Sequence, residues 1–332
     1  MSDKTIRFLS GRDIKAALPM KEAVEAMKDA FRQLSAGRAV MPLRTHIEVS
    51  DRPKGDALFM PSYSPADRKL GLKIVTLFPE NPSRGLPFIQ AVVIVLDGET
   101  GRALAVMDGA TLTAIRTGAA SGAATDLLAR LDSTTVAIIG AGAQGRAQLA
   151  AVCAVRRIRQ ARVYDASGAK AEAFAQEMQQ QLSIDVQVAR SSADALSGAD
   201  VVCTATTSPT PVFADGELAA GVHINAIGSY KPKVREIPGD TVARALVVVD
   251  HVPSALAEAG DLLIPMEQGL ITWDHIHGEL GELVAGRKSG RTSPQQVTFF
   301  KSVGVAVQDL AAATRALANA ERMNLGTELD LS

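Results

Sequence analysis

Only two cysteines occur in 332 residues, Cys153 and Cys203, both in apolar stretches. Their scarcity excludes a disulfide framework and fits two buried free thiols in a reducing compartment, and neither sits in a catalytic or metal-binding pattern. A charge of one sign is missing too. The 35 basic and 36 acidic residues leave a formal net charge of −1, so no global field draws the chain to nucleic acid or to an anionic membrane, and partners must be recognised locally. No apolar run approaches the roughly 20 residues that cross a bilayer. The beginning, Met1-Ser2-Asp3-Lys4-Thr5, lacks the apolar core of a signal peptide, so a soluble cytoplasmic protein is expected. Internal repeats, low-complexity linkers and charge blocks are absent as well.

What is present begins with length. A chain of 332 residues exceeds a typical single core and predicts two domains. Met20, Ala23, Val24, Met27, Phe31 and Leu34 recur at helical spacing up to Gly37 and form one apolar stripe. From Arg44 to Asp108 the texture turns to strands, at 46–49, 57–60, 70–78, 88–96 and 103–106, the last pair joined by the hairpin turn Asp97-Gly98-Glu99-Thr100-Gly101. This predicts an antiparallel sheet. A small-residue helix over 110–130 follows, and then strands at 134–139, 161–165, 184–188, 200–203, 222–226 and 246–250 alternate with helical stretches, the pattern of a parallel sheet with right-handed crossovers. The parallel, Rossmann-type half is expected at 118–313. An alanine-rich helix from Val303 to Arg322 is expected to return the chain to the first domain, residues 1–117 and 314–332.

One motif sits where that fold needs it. Val136-Ala137-Ile138-Ile139 reads as a strand and runs into Gly140-Ala141-Gly142-Ala143-Gln144-Gly145, with Asp165 at the end of the next strand. In a dinucleotide site Gly140 permits the tight turn, Gly142 lets backbone N–H groups approach a pyrophosphate, and Gly145 lets the helix pack on its strand. Ala143 and Gln144 open that helix, whose N-terminal N–H groups face the phosphate charge. The Asp165 carboxylate suits ribose hydroxyls and repels a 2′-phosphate, which favours NAD. Arg162 and Lys170 lie near in sequence and keep NADP as the alternative.

A Rossmann half supplies a cofactor, not a substrate pocket. Three cations are set in apolar segments: Arg44 in Met41-Pro42-Leu43-Arg44-Thr45, Lys73 in Gly71-Leu72-Lys73-Ile74-Val75, and Arg116 in Ala114-Ile115-Arg116-Thr117-Gly118. A cation in such a place needs an anion, from a protein carboxylate or from a substrate. His275 and His277 form a His-x-His without further ligands nearby, so no metal site is expected. His46 and His223 lie in strands and read as packed or hydrogen-bonded, and Glu279 and Glu282 as one helix face.

The succession Pro42-Leu43-Arg44, Gly71-Leu72-Lys73, Ala114 to Ser121, Gly140 to Gly145, Ile224-Asn225-Ala226-Ile227-Gly228, Glu258-Ala259-Gly260-Asp261 and Phe300-Lys301-Ser302-Val303-Gly304 resembles the ornithine cyclodeaminase/mu-crystallin family over nearly the whole chain. In motif it is most similar to the imine (ketimine, pyrroline-2-carboxylate) reductases and the archaeal-type alanine dehydrogenases. The resemblance implies an α/β protein: a Rossmann NAD-binding domain plus a discontinuous α+β domain that carries an antiparallel sheet, binds substrate and dimerises. It further implies a homodimer with the active site between the two domains. By position, Arg44 and Arg116 match the arginines that hold a substrate carboxylate, and Lys73 the lysine beside the reacting carbon and nitrogen. Thr117, Gly118 and Ser302 match cofactor-phosphate contacts, and Asp261 a structural or site acid. Cyclodeaminases carry an aspartate in the loop after Gly228 to engage a distal amine. Ser229 stands there instead, which disfavours ornithine cyclisation, since a neutral hydroxyl cannot balance a buried ammonium. Lys231, Lys233 and Arg235 in the same loop read as a solvated face, with affinity for a second carboxylate as the other reading. Met60, Phe78, Leu86 and Tyr230 are candidates to shape the substrate pocket. The expected reaction is NAD(P)H-dependent reduction of an α-imino acid to the amino acid, reversible. The alternatives are an ornithine cyclodeaminase that recycles NAD internally and a non-catalytic binding protein like mu-crystallin.

Overall fold

Two textures of alternation follow one another along the chain, and each folds into its own sheet. The computed structural model describes residues 5–330. Met1 to Lys4, within the segment read above as lacking a signal core, lie outside the described residues. In chain order the elements are β1 (Thr5–Leu9), α1 (Gly11–Ala17), α2 (Met20–Ser35), β2 (Thr45–Val49), β3 (Gly55–Ser64), β4 (Lys69–Leu77), β5 (Ile89–Asp97), β6 (Ala103–Asp108), α3 (Gly109–Leu128), β7 (Thr135–Ile139), α4 (Ala143–Val155), β8 (Gln160–Tyr164), α5 (Gly168–Leu182), β9 (Asp185–Val188), α6 (Ser192–Leu196), β10 (Val201–Thr204), β11 (His223–Ala226), α7 (Gly239–Arg244), β12 (Leu246–Val249), α8 (Val252–Glu258), α9 (Gly260–Glu267), β13 (Ile276–Glu279), α10 (Leu280–Val284), β14 (Thr298–Lys301), α11 (Ala306–Met323) and β15 (Thr327–Asp330). Among the described residues no helix is long and apolar enough to cross a membrane.

The first unit runs to Arg116 and resumes at Val305; the second is Thr117–Gly304. These breaks differ from those expected at 117/118 and 313/314. The second moves ahead of α11 because that helix is uninterrupted and packs on β3, β4 and α2, so its buried face belongs to one core.

In the first unit the sheet order is β15-β1-β6-β5-β4-β3-β2. Its pairs are antiparallel except β1 with β6, which run parallel. The sequence reading had neither β1 nor β15. All four residues of β15 are exposed and show no apolar alternation, so periodicity could not reveal it. The stripe on α2 behaves as read: Ala23, Val24, Met27 and Phe31 are buried, and the helix closes at Ala36 before Gly37. Helix α11 approaches the sheet closely at Gly71, where a Cβ would lie 2.9 Å from Leu310. His46 stands exposed on β2 with Nε2 2.6 Å from Asp56 Oδ1.

In the second unit eight parallel strands take the order β13-β12-β14-β11-β10-β7-β8-β9. Six were expected; β13 and β14 are short strands in segments with weak or no alternation. Around β7, β8 and β10, one apolar cluster takes Leu149 and Val152 from α4 and Phe174 and Met178 from α5. Another is built from Ile224, Val247, Val249, Leu262 and Phe299. Among the buried polar residues, His223 is fully buried on β11 between Thr298 Oγ1 at 2.9 Å and Asn225 Oδ1 at 3.2 Å. Burial, reinforced by the Arg291 charge, pushes its imidazole down to about 3. The unfolded chain therefore binds a proton that the folded chain refuses between the ordinary histidine range and that value. One such proton lowers stability by about 1.4 kcal/mol per pH unit as pH falls. His223→Gln is expected to flatten this slope between about pH 6 and 4 in denaturant titrations; an unchanged slope refutes it.

Candidate active site

Strand β7 ends where strand order reverses: the chain goes outward to β8 and β9, then returns to β10 on the other side of β7. Open parallel sheets bind ligands beyond the carboxyl ends of strands at such a point. Gly140 stands there with φ +106°, and a Cβ on it would lie 2.5 Å from the Ala205 carbonyl oxygen. At Gly145 a Cβ would lie 2.1 Å from the Gly140 carbonyl, so α4 is seated on its strand backbone to backbone. Between them Gly142 is exposed, borders open space, and caps α4 with no side-chain hydrogen bond. Ala143 is exposed beside it and Gln144 half-buried. An uncapped helix start with room in front of it fits the pyrophosphate of a dinucleotide.

Asp165 ends the turn after β8. One of its oxygens accepts the Ala141 N–H at 2.9 Å and the other the Ser167 N–H at 2.8 Å, tying the glycine loop to the approach of α5. Each carboxylate oxygen keeps capacity for a further donor such as a ribose hydroxyl. Arg162 is turned away, donating to the Ser197 carbonyl and to Gln160 Oε1, while Lys170 is exposed on α5. Gly118 explains itself by packing, since a Cβ there would meet the Ala147 carbonyl at 2.5 Å. Next to it the Thr117 carbonyl accepts from Gln148 at 3.4 Å. The Ser302 hydroxyl donates to Asp250 Oδ2 at 2.7 Å, and the Val303 and Gly304 N–H groups donate to the same oxygen at 2.9 and 2.8 Å.

Ser229 lies in a loop held by a buried lattice. Its hydroxyl donates to the Val234 carbonyl at 2.6 Å, and its own carbonyl accepts from Lys301 Nζ. Lys301 pairs with Asp261 at 2.7 Å, both fully buried. The other Asp261 oxygen accepts the Glu236 and Ile237 N–H groups at 2.7 and 3.0 Å. Glu236 in turn accepts from the Thr204 hydroxyl, the Thr206 N–H and hydroxyl, and the Gly228 N–H, at 2.7 to 3.0 Å. Burial, and then the Asp261 charge, hold its carboxyl above the usual range. Lys231 and Lys233 are exposed and Arg235 bonds Gln268 at 3.0 Å. His275 and His277 bond the Val242 and Ser289 carbonyls, each at 2.9 Å, and Glu282 accepts the Glu279 N–H at 3.0 Å.

In the first unit Lys73 sits on β4, directly opposite Met60 on β3 and Val93 on β5. It is 3 % exposed and its ammonium lies 2.8 Å from Asp309 Oδ2 on α11. The other oxygen of Asp309 accepts from Arg116 Nε on α3 at 2.8 Å, and Arg116 Nη1 donates to Gln308 Oε1 at 2.7 Å. Gln308 Nε2 is buried with no hydrogen-bond partner among the described residues. Burial first, and then the Arg116 charge, lower Lys73 to about 7 against the pull of Asp309, with a smaller push from Arg44 ahead of β2. Burial raises Asp309, but Arg116 and Lys73 outweigh it and hold the carboxyl below its usual range. One carboxylate thus serves two cations, and the dry cluster is positive while Lys73 is protonated.

A dinucleotide loop on the second unit and an anion-seeking lysine–arginine cluster on the first agree with what the chain matches. The model of the ornithine cyclodeaminase/mu-crystallin family aligns with residues 5–324. The chain belongs to this family. It is 39 % identical to a Delta(1)-pyrroline-2-carboxylate reductase of Bacillus cereus over 97 % of this chain and 99 % of that one. Among solved structures it is similar to the Delta(1)-pyrroline-2-carboxylate reductase of Thermococcus litoralis in complex with NADH and L-proline, with TM-score 0.93, 43 % identity, and 97 % and 99 % of the two chains covered. An archaeal alanine dehydrogenase dimer with bound NAD superposes with TM-score 0.91 at 34 % identity, over 99 % of this chain and 100 % of that one.

Set against this family frame, the cations of the first unit were singled out from sequence and their anion was missed. Asp309 lies in Val307-Gln308-Asp309-Leu310-Ala311, an acid in an apolar helix. The argument that selected Lys73 and Arg116 applies to it unchanged, so the signal was there. The two loop glycines separate binding from folding. Gly142→Ala, in open space, is expected to keep the melting temperature and weaken NADH roughly tenfold in fluorescence titrations, about 1.4 kcal/mol. Gly145→Ala must displace backbone and is expected to lower both. Equal behaviour of the two variants contradicts the roles given to them.

Proposed function

We propose that the protein is an NADH-dependent imine reductase: it reduces an α-imino acid to the amino acid, reversibly. The substrate is either cyclic, such as pyrroline-2-carboxylate, or the imine of a 2-oxo acid such as pyruvate or oxaloacetate. The observation that carries this reading is Asp309 shared between Lys73 and Arg116, one carboxylate for two buried cations, with burial lowering the lysine to about 7. A carboxylate suits the guanidinium groups of Arg116, through its remaining Nη2, and of Arg44. Bound NADH supplies the hydride for the imine carbon. Reduction also consumes one proton at nitrogen, and Lys73 Nζ holds one in a site from which water is excluded. A group near pH 7 both gives and regains a proton readily, which suits a reversible reaction.

Asp165 at the glycine loop, with Arg162 turned toward Ser197, supports NAD over its 2′-phosphorylated form. Ser229, whose hydroxyl is given to Val234, supports a substrate without a distal ammonium. Leu43, Ile47, Leu86, Phe88 and Ile89 stand exposed on the first unit, where β2 is an edge strand, and support a homodimer through that unit.

Following NADH absorbance with a panel of cyclic imines, and of 2-oxo acids with ammonia or methylamine, is expected to show net oxidation of NADH. Ammonia and proline released from ornithine without change in NADH refutes the reading in favour of a cyclodeaminase, and failure of every substrate refutes it in favour of a binding protein. Lys73→Ala is expected to lose about 10²–10⁴-fold in turnover with NADH affinity intact. In the wild type, reduction should decline as pH rises through about 7, where Lys73 gives up its proton; activity flat from pH 6 to 9 removes Lys73 from the acid's role.

A further inference from the structure

We infer that Asp309 is a positioning residue for this reaction: its carboxylate fixes the Lys73 ammonium and the Arg116 guanidinium as one unit, placing proton donor and carboxylate clamp in a set relation. The inference rests on the reading of Lys73 and Arg116 given above. Its own support is geometric. Both contacts are 2.8 Å, one on each oxygen, and the three side chains are 5 % exposed or less. They come from three elements, β4, α3 and α11, so no local spacing brings them together. The Arg116 contact uses Nε, and Gln308 takes Nη1 at 2.7 Å, so the guanidinium plane is held at two points and Nη2 is left as the edge for an incoming carboxylate. Gln308 is itself fixed, its Oε1 also accepting the Val305 N–H at 2.9 Å. Around Lys73 the charged groups are Arg116 from α3, Asp309 from α11 and Arg44 ahead of β2, while Met60 and Val93 flank it on the sheet. Asp309 is thus the carboxylate among the described groups that act most strongly on Lys73. Its removal takes away what keeps Lys73 charged and leaves burial, Arg116 and Arg44, which all favour the neutral amine.

The test measures Lys73 directly, by NMR titration of protein labelled with 13Cε-lysine, the signal assigned by its loss in Lys73→Met. In the wild type the midpoint is expected near 7. In Asp309→Asn it is expected to fall by at least about one pH unit, and the high-pH decline of kcat/KM for imine reduction should move down with it while NADH affinity is kept. Asp309→Glu retains the charge and displaces the contact by a methylene; its Lys73 midpoint should stay near that of the wild type while kcat drops roughly tenfold, as expected of misplaced groups. A folded Asp309→Asn with an unmoved midpoint overturns the inference. So does Asp309→Glu with wild-type kcat and KM, which decides the matter even if Asp309→Asn does not fold. Inactivity of the wild type on every imine defeats the proposed function instead, and the midpoint titration, which needs no substrate, then still decides whether Asp309 holds the charge on Lys73.

Discussion

Lys73 and Arg116 are buried side by side, and in a dry interior two like charges repel while each also loses its hydration. Asp309 is what allows them to coexist. Removing one partner of such a buried arrangement typically costs about 3–5 kcal/mol, because the remaining charge is left uncompensated. The carboxylate resolves only part of the conflict, since one negative charge faces two positive ones. Burial first, and then the Arg116 charge, lower the Lys73 pKa against the pull of that carboxylate. On the proposed reading, a substrate carboxylate would add the second negative charge and would favour the protonated form of Lys73.

The second unit solves a different problem by different means. Its ligand site has no buried charge imbalance; it is made of backbone. Gly145 seats the helix on the Gly140 carbonyl with no room for a side chain, Gly140 stands against the Ala205 carbonyl, and Gly142 leaves the helix start bare. Asp165 then bridges the Ala141 N–H and the Ser167 N–H, so the acid expected to read the ribose also sets the shape of the loop beside it. Asp250 acts likewise at the end of β14, gathering Ser302, Val303 and Gly304 just where the chain leaves this unit. In both places a carboxylate gathers backbone donors and fixes the loop beside it.

Local chemistry was legible in the sequence and long-range pairing was not. The glycine loop, the strand before it and the acid after it are consecutive and carry their reasons with them. The alternation of β7 to β12 followed from apolar runs. By contrast β15 has no apolar face, β14 is a four-residue strand inside a segment read for its motif, and the parallel contact of β1 with β6 has no local mark at all. Arg44, Lys73 and Arg116 were found because a cation in an apolar segment is costly on its face. That Asp309, nearly two hundred residues beyond Arg116, is the partner of two of them depends on how α11, whose return to the first domain was expected, seats against β4 and α3. The break expected at 313/314 falls after Asp309, whereas the first unit resumes at Val305.

The charge inventory of the Ser229 loop extends the same logic to substrate choice. A diamino acid brings a second, distal ammonium, and a site that cyclises it must offer an unspent carboxylate. The loop is not poor in carboxylates. Glu236 and Asp261 are both buried in its lattice, but Asp261 is committed to Lys301 and two backbone N–H groups, and Glu236 to four donors. Diverting either would strand a buried lysine or several buried N–H groups, each of which costs on the order of 1–3 kcal/mol or more when unpaired. Ser229 is neutral, and its hydroxyl proton already goes to the Val234 carbonyl. An ammonium placed against this loop would meet spent acceptors, whereas an uncharged ring or a methyl group would meet no such penalty. On the proposed reading, discrimination against the diamino acid would arise less from the single serine than from a lattice whose carboxylates are already committed.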